Sequence, residues 1–193
     1  MLIERLERDS IVLEIGTGSG RNTRALLDAG IAVTTVEDDA ERAMRAAAAF
    51  ENAPCTVLRS AYTQIPAKAA TFDGALSTHA FLHGTTVKIA TMVRTVALLL
   101  KSGGLFYATF GSTHDARYGK GDRVEEQTFA PASGEEQGIP HAYFTQEGLR
   151  ALLEPWYAIE SVSERNVDDV VGAWAHPARP AGSVHWFVRS ARI

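Results

Sequence analysis

The residues best able to do chemistry gather near the start of the chain. Glu14-Ile15-Gly16-Thr17-Gly18-Ser19-Gly20 sets a carboxylate two residues before three glycines at alternate positions. Such glycines let backbone N–H groups approach a ligand that side chains would hold away. Their spacing selects the ligand. A dinucleotide fingerprint runs Gly-x-Gly-x-x-Gly, and Arg21 stands where its third glycine would be. A phosphate-binding loop needs Gly-Lys-Ser/Thr at the helix start, and lysine is absent there. A second carboxylate, Glu37, follows Gly20 by seventeen residues. An acid at that distance can accept hydrogen bonds from both hydroxyls of a ribose. Its neighbours Asp38 and Asp39 offer a cap for a helix beginning near Ala40.

These groups need elements to hold them. Residues 11–15 read as a buried strand, 21–29 as a helix ended by Gly30, and 31–36 as a β-branched second strand. An alanine-rich helix over 39–51 stops at Asn52-Ala53-Pro54, and 55–59 reads as a third strand opened by Cys55. A fourth strand covers 72–77, a helix runs from about 85 to 101, and a fifth strand covers 105–110. Residues 111–143 break the alternation and read as a long functional loop. Thr145 caps a helix through Leu153, a sixth strand covers 157–162, and 166–182 is a second long connection before a last strand over 183–190. Strands alternating with helices predict an α/β fold of three layers, αβα, around a doubly wound, mostly parallel seven-stranded sheet.

The stretch Glu14-x-Gly16-x-Gly18-x-Gly20 resembles the first motif of the class I S-adenosylmethionine-dependent methyltransferases. Leu100-Lys101-Ser102-Gly103-Gly104 is similar to that family's Leu-Lys-Pro-Gly-Gly turn, and Phe72-Asp73 opens the fourth strand as is common there. The resemblance is to the small bacterial type that acts on small molecules. It implies a Rossmann-like sheet with an antiparallel last strand, in one domain over 1–193 with a substrate-side insertion at about 111–143. The cofactor it implies is S-adenosylmethionine, with S-adenosylhomocysteine as product. Carried onto this sequence, the cofactor set is Glu14, Gly16, Thr17, Gly18, Gly20, Asn22, Glu37, Asp38, Ser60, Ala61, Tyr62, Thr78 and His79. An aspartate often stands near position 60 in that family and binds the adenine amino group. Here Ser60 or a backbone group has that task, and Tyr62 packs on the adenine or in the core. Residues 1–10 are shorter than the family's usual cover over the cofactor, so the expectation is a more open site or a cover from elsewhere.

Methyl transfer from a sulfonium requires donor and acceptor held in line, and a base only if the acceptor must lose a proton. His79, next after the fourth strand, is the candidate base, with His141 a second catalytic candidate. The alternative for His79 is packing against the cofactor's methionine end. His83, His114, Tyr118, His141 and Tyr143 are candidates to face the substrate, and Thr78, Glu125, Glu126 and His185 are further polar groups in reach. His79 and His83 have the spacing of a zinc pair, but no acid lies between them, so no metal is expected.

Composition bounds the partners. The 193 residues are 46% hydrophobic and 22% charged, with net charge −4, which disfavours a nucleic-acid surface. No apolar run reaches membrane-spanning length, and the charged start is unlike a signal peptide. One cysteine excludes an intramolecular disulfide. An Asn-Pro-Pro-Tyr motif, the mark of amino-methylating nucleic-acid enzymes, is absent after the fourth strand. The expectation is a cytoplasmic monomer or homodimer with a small-molecule methyl acceptor and neither nucleic-acid nor membrane partners. Two rivals stand beside it. An NAD-dependent oxidoreductase is disfavoured by the glycine spacing and the lack of Tyr-x-x-x-Lys. A non-catalytic cofactor-fold subunit is kept open by the short start and by Ser60.

Overall fold

In a computed structural model that describes residues 2–167 and 182–193, the elements follow the alternation of the sequence. Strand β1 (Ile11–Ile15) is flanked in parallel by β2 (Ala32–Glu37) and β4 (Phe72–Ser77), and β3 (Cys55–Arg59) lies outside β2. Strand β5 (Leu100–Ser112) pairs in parallel with β4. Strand β10 (Val184–Arg192) runs antiparallel between β5 and β9 (Tyr157–Asn166). The expected mostly parallel, doubly wound sheet with an antiparallel last strand is therefore present. The connection expected at 166–182 lies largely outside the described residues.

Helix starts are set by side-chain caps. Asp39 accepts from the N–H of Arg42 and opens α2 (Ala40–Ala49). Thr85 accepts from Lys88 N and opens α3 (Thr86–Leu99), and Thr145 accepts from Gly148 N and opens α4 (Gln146–Leu153). Each satisfies an N–H that the first helical turn leaves unpaired. Helix α1 (Arg21–Asp28) begins instead from Gly20, whose φ of +75° suits glycine.

Residue parity along β1 separates the two faces. Leu13 and Ile15 pack with Ile89, Val93 and Val96 of α3 and Leu149 of α4. Val12 packs with Leu26 of α1 and with Leu2 on the other face. Burying one such side chain contributes about 1.5–3 kcal/mol, so the strand ends that carry polar groups rest on a firmly packed base.

The sheet holds ten strands among the described residues, where the sequence predicts seven. The extra three come from residues 111–143: β6 (Asp122–Glu125), β7 (Thr128–Ala130) and β8 (His141–Phe144). They pair antiparallel with one another, and β8 joins the tip of β5 through Gly111↔Tyr143 and Ser112↔Phe144. What the sequence reads as a loop is a pinned hairpin with one further strand. Three or four residues per strand are too few to show a period of two.

Candidate functional site

The glycine turn leaves the carboxyl end of β1, where open α/β sheets bind ligands. Gly16, Gly18 and Gly20 all have positive φ, at 80°, 52° and 75°. They differ in what a side chain would meet. At Gly20 a Cβ would strike the Phe50 ring at 2.6 Å, so that glycine serves packing. At Gly18 a Cβ would meet nothing within 4 Å, so the turn presents bare backbone to open space. The hydroxyl of Thr17 bonds that of Thr35 and ties the turn to β2. Asn22 Nδ2 donates to Thr78 Oγ1 at 3.1 Å and joins α1 to the end of β4.

Glu14 lies beneath this turn with no exposed surface. Thr23 donates to its Oε2, but Oε1 has no hydrogen-bond partner among the described residues. Burial pushes its carboxyl up to about 7, tempered by Thr23, Asn22 and Thr35. A buried carboxylate oxygen without a donor suits a cationic group brought by a ligand.

Glu37 ends β2 and is also buried. Its Oε1 accepts from Gly18 N at 2.9 Å, and its Oε2 faces Arg42 Nε at 3.2 Å and the Tyr62 hydroxyl at 3.4 Å. Asp38 is more exposed and pairs with Arg42 at 3.6 Å. Beyond Glu37, Ser60 N donates to the Glu37 carbonyl, while the Ser60 hydroxyl donates to Gln64 O at 2.8 Å within its own loop. Ala61 is exposed and Tyr62 is buried, its hydroxyl held well above the usual tyrosine range by that burial. The candidate cofactor residues lie near the carboxyl ends of β1, β2, β3 and β4 and in the segments that follow them. An orphaned carboxylate oxygen and an open glycine face are features a nucleoside bearing a methionine tail would fit.

On the far side of β4 the histidines separate into groups. His79 has φ +76°, and its N–H donates to Thr109 Oγ1 at 3.1 Å. Its ring stands 5.1 Å from that of His185. His185 is buried, neither ring nitrogen has a hydrogen-bond partner among the described residues, and Nε2 lies 3.9 Å from Asp115 Oδ2. Burial is the main cause that lowers His79 to about 4 and His185 to about 3, so both rings are neutral at pH 7. His83 and His141 meet across Glu136 instead. His114 stands apart, exposed and 2.8 Å from Glu164. Tyr118 and Tyr143 pack with Phe129 as the aromatic base of the hairpin. Glu125 accepts from Thr86 N and Oγ1 and holds the hairpin to the start of α3, while Glu126 is exposed in the hairpin turn.

A cavity of about 570 Å³ opens on the α1 face of the sheet. Asn22, Thr78 and Thr109 line it at the ligand edge, and Tyr107, Arg165, Phe187 and Arg189 line it further down. His185 shares a strand face with Phe187 and Arg189 and pairs with Gly111 at the ligand edge, whereas neither His79 nor His185 lines the cavity. Sequence reasoning misses Asp115, Arg117, Thr109, Glu136, Arg165 and Arg189. For the strand residues a signal exists: Ser161, Ser163 and Arg165 alternate along β9 and share its polar face.

The sequence of residues 13–108 matches the family description "Methyltransferase domain". Similar solved structures support the fold. A SAM-dependent methyltransferase of Methanosarcina mazei is 19% identical, with TM-score 0.79 over 98% of this chain and 95% of that one. One from Mesorhizobium loti is 22% identical, with TM-score 0.75 over 99% and 95%. The 1,6-didemethyltoxoflavin-N1-methyltransferase of Burkholderia thailandensis, solved with 1,6-didemethyltoxoflavin and S-adenosylhomocysteine, is 20% identical, with TM-score 0.70 over 99% and 74%. No curated protein matches the chain in sequence.

Proposed function

We propose that the chain is a class I S-adenosylmethionine-dependent methyltransferase that methylates a small-molecule acceptor as a single domain, with residues 111–143 as the acceptor-side insertion. The cavity of about 570 Å³ beside Asn22 and Thr78 carries this reading, since its volume suits a small ligand. The Burkholderia relative was solved with a small heterocycle bound. Arg165 and Arg189 favour an acceptor with an anionic group, and Phe187 offers a flat apolar wall. The net charge of −4 disfavours a nucleic-acid partner, and the reading carries a cytoplasmic monomer or homodimer.

When bound, S-adenosylmethionine supplies a methyl group already activated by a sulfonium. The chain's own residues bind, orient and exclude water. Gly16, Thr17, Gly18, Gly20 and Asn22 form the cradle, and Glu14 meets the ammonium of the methionine end with its free oxygen. Glu37 accepts from ribose hydroxyls, with Asp38 beside it. Ser60, Ala61 and Tyr62 border the adenine, and Thr78 closes the edge toward the acceptor. His79, neutral and partly buried, accepts a hydrogen bond or a proton from the acceptor, with the His185 ring edge-on to it.

The test is transfer of labelled methyl from S-adenosylmethionine into a cell extract separated by size after the reaction. Label in the low-molecular-mass fraction is expected. Label confined to protein or RNA overturns the acceptor class.

A further inference from the structure

Two imidazoles converge on one carboxylate in the acceptor-side segment. His83 Nε2 lies 3.2 Å from Glu136 Oε1, and His141 Nε2 lies 3.1 Å from Glu136 Oε2. The backbone fixes the meeting. His83 and His141 form an antiparallel bridge, and Gly84 N donates to Pro140 O at 2.7 Å.

The other nitrogen of His141 decides what the cluster can hold. His141 Nδ1 lies 2.8 Å from the Ile139 carbonyl oxygen. A carbonyl only accepts, so Nδ1 carries the proton and donates. A neutral ring then turns its Nε2 lone pair toward a carboxylate oxygen. Two lone pairs facing at that distance repel unless a cation lies between them. A ring that ligates through one nitrogen and donates the other N–H to a backbone carbonyl is the usual surrounding of a metal-bound histidine.

The dimensions agree. Donors about 2.0–2.1 Å from a tetrahedral zinc ion stand about 3.3 Å apart. The three donor atoms of His83, Glu136 and His141 all lie within 4.8 Å of one another. Arg117 Nη1 bonds Glu136 Oε2 at 3.2 Å and is itself held by Asp115, the outer support that ligating carboxylates carry. His141 is buried, whereas His83 and Glu136 are partly exposed and give an entry path from solvent.

We propose that His83, Glu136 and His141 form a binding site for a divalent transition metal of the zinc class, with a fourth position open to water or an external ligand. Two imidazoles and one carboxylate suit zinc, cobalt or iron(II) better than magnesium, which prefers oxygen donors. The site shares no residue with the border formed by Glu14, Glu37 and the glycine turn, so it stands whether or not the acceptor is a small molecule.

The test uses the full chain stripped with EDTA and titrated with Zn2+ by calorimetry, with Co2+ as an optical probe of tetrahedral coordination. One Zn2+ per chain is expected, with excess Mg2+ failing to compete. His83→Ala and Glu136→Gln, both at partly exposed positions, should each weaken Zn2+ binding by about tenfold or more, with unchanged circular dichroism. Loss in either variant supports the site. No Zn2+ binding by the stripped wild-type chain, or undiminished binding in both variants, overturns it.

Discussion

The carboxylate of Glu37 accepts a hydrogen bond from the backbone N–H of Gly18 at 2.9 Å, which ties the end of β2 to the turn that leaves β1. The acid that would hold a ribose is thus also a brace for the turn. A carboxylate offers about four acceptor sites. Gly18 N, Arg42 Nε and the Tyr62 hydroxyl take three of them, so one is left on Oε1 and a second ribose hydroxyl must displace the 3.4 Å bond from Tyr62. Glu37→Ala should weaken binding of S-adenosylhomocysteine by about 1.5–3 kcal/mol, the range for hydrogen bonds to a charged group. Calorimetry at fixed pH measures it. A loss of only a few tenths of a kcal/mol would leave Glu37 as a brace alone.

Glu14 makes cofactor affinity depend on pH. Burial holds its carboxyl near 7, and a ligand ammonium requires the ionised form. Between pH 6 and pH 8 the ionised fraction rises roughly tenfold, and affinity for S-adenosylhomocysteine should rise with it. Glu14→Gln should flatten that profile. Stability should move the other way, because a carboxyl raised in the folded state loses stability as pH climbs from about 4.5 to about 7. Glu14→Gln should therefore gain about 3 kcal/mol at pH 8 and little at pH 4. A wild-type binding profile that stays flat would remove Glu14 from the ligand.

The pair of His79, partly buried, and His185, buried, predicts acid sensitivity of the opposite sign. Unfolded histidine takes up a proton near pH 6.5, whereas burial holds these rings at about 4 and about 3. Their stability is full above pH 6.5 and is lost as pH falls toward those values. For one such ring the loss between pH 7.5 and pH 5 is about 2 kcal/mol. His185→Leu should remove that share, read as a smaller difference between urea unfolding curves at the two pH values. An unchanged difference would mean that the ring titrates in the folded state as it does in the unfolded chain.

These groups were not equally legible in the sequence. The glycine turn, Glu37 and the Asp39 cap are local, since each works on neighbours within one strand–turn–helix unit. The histidines are not. His79 and His83 are four apart, but residues 80–82 form a 3₁₀ turn rather than an α-helix, so the two rings do not share a face. His83 instead finds His141 across a β-bridge, and each finds Glu136 in an irregular stretch. Asp115 is held by Val184 N and faces His185, a pairing made only when β10 docks on β5. No pattern along the chain encodes such meetings.

The hairpin carries the last prediction. Read as a loop, residues 111–143 suggest a lid, yet they are anchored at several places, Asp115 on Val184 N and Glu136 on His83 among them. Strand β8 pairs with β5, Glu125 binds the start of α3, and Gly84 N donates to Pro140 O. The anchors lie at the hairpin's root, at Glu125 and at Glu136, whereas Gly119, Gly121, Gly134 and Gly138 have positive φ and mark its turns. Hydrogen exchange should therefore show residues 141–144 protected in the free protein, and residues 119–138 slowed when S-adenosylhomocysteine is bound. Glu125→Ala removes the acceptor for Thr86 N, as loss of a helix cap does. It should cost about 1 kcal/mol and speed exchange across 119–138 in the free protein. Strong protection across 119–138 without ligand, unchanged on binding, would make the hairpin a fixed cover, and closure over the acceptor would have to come from another segment.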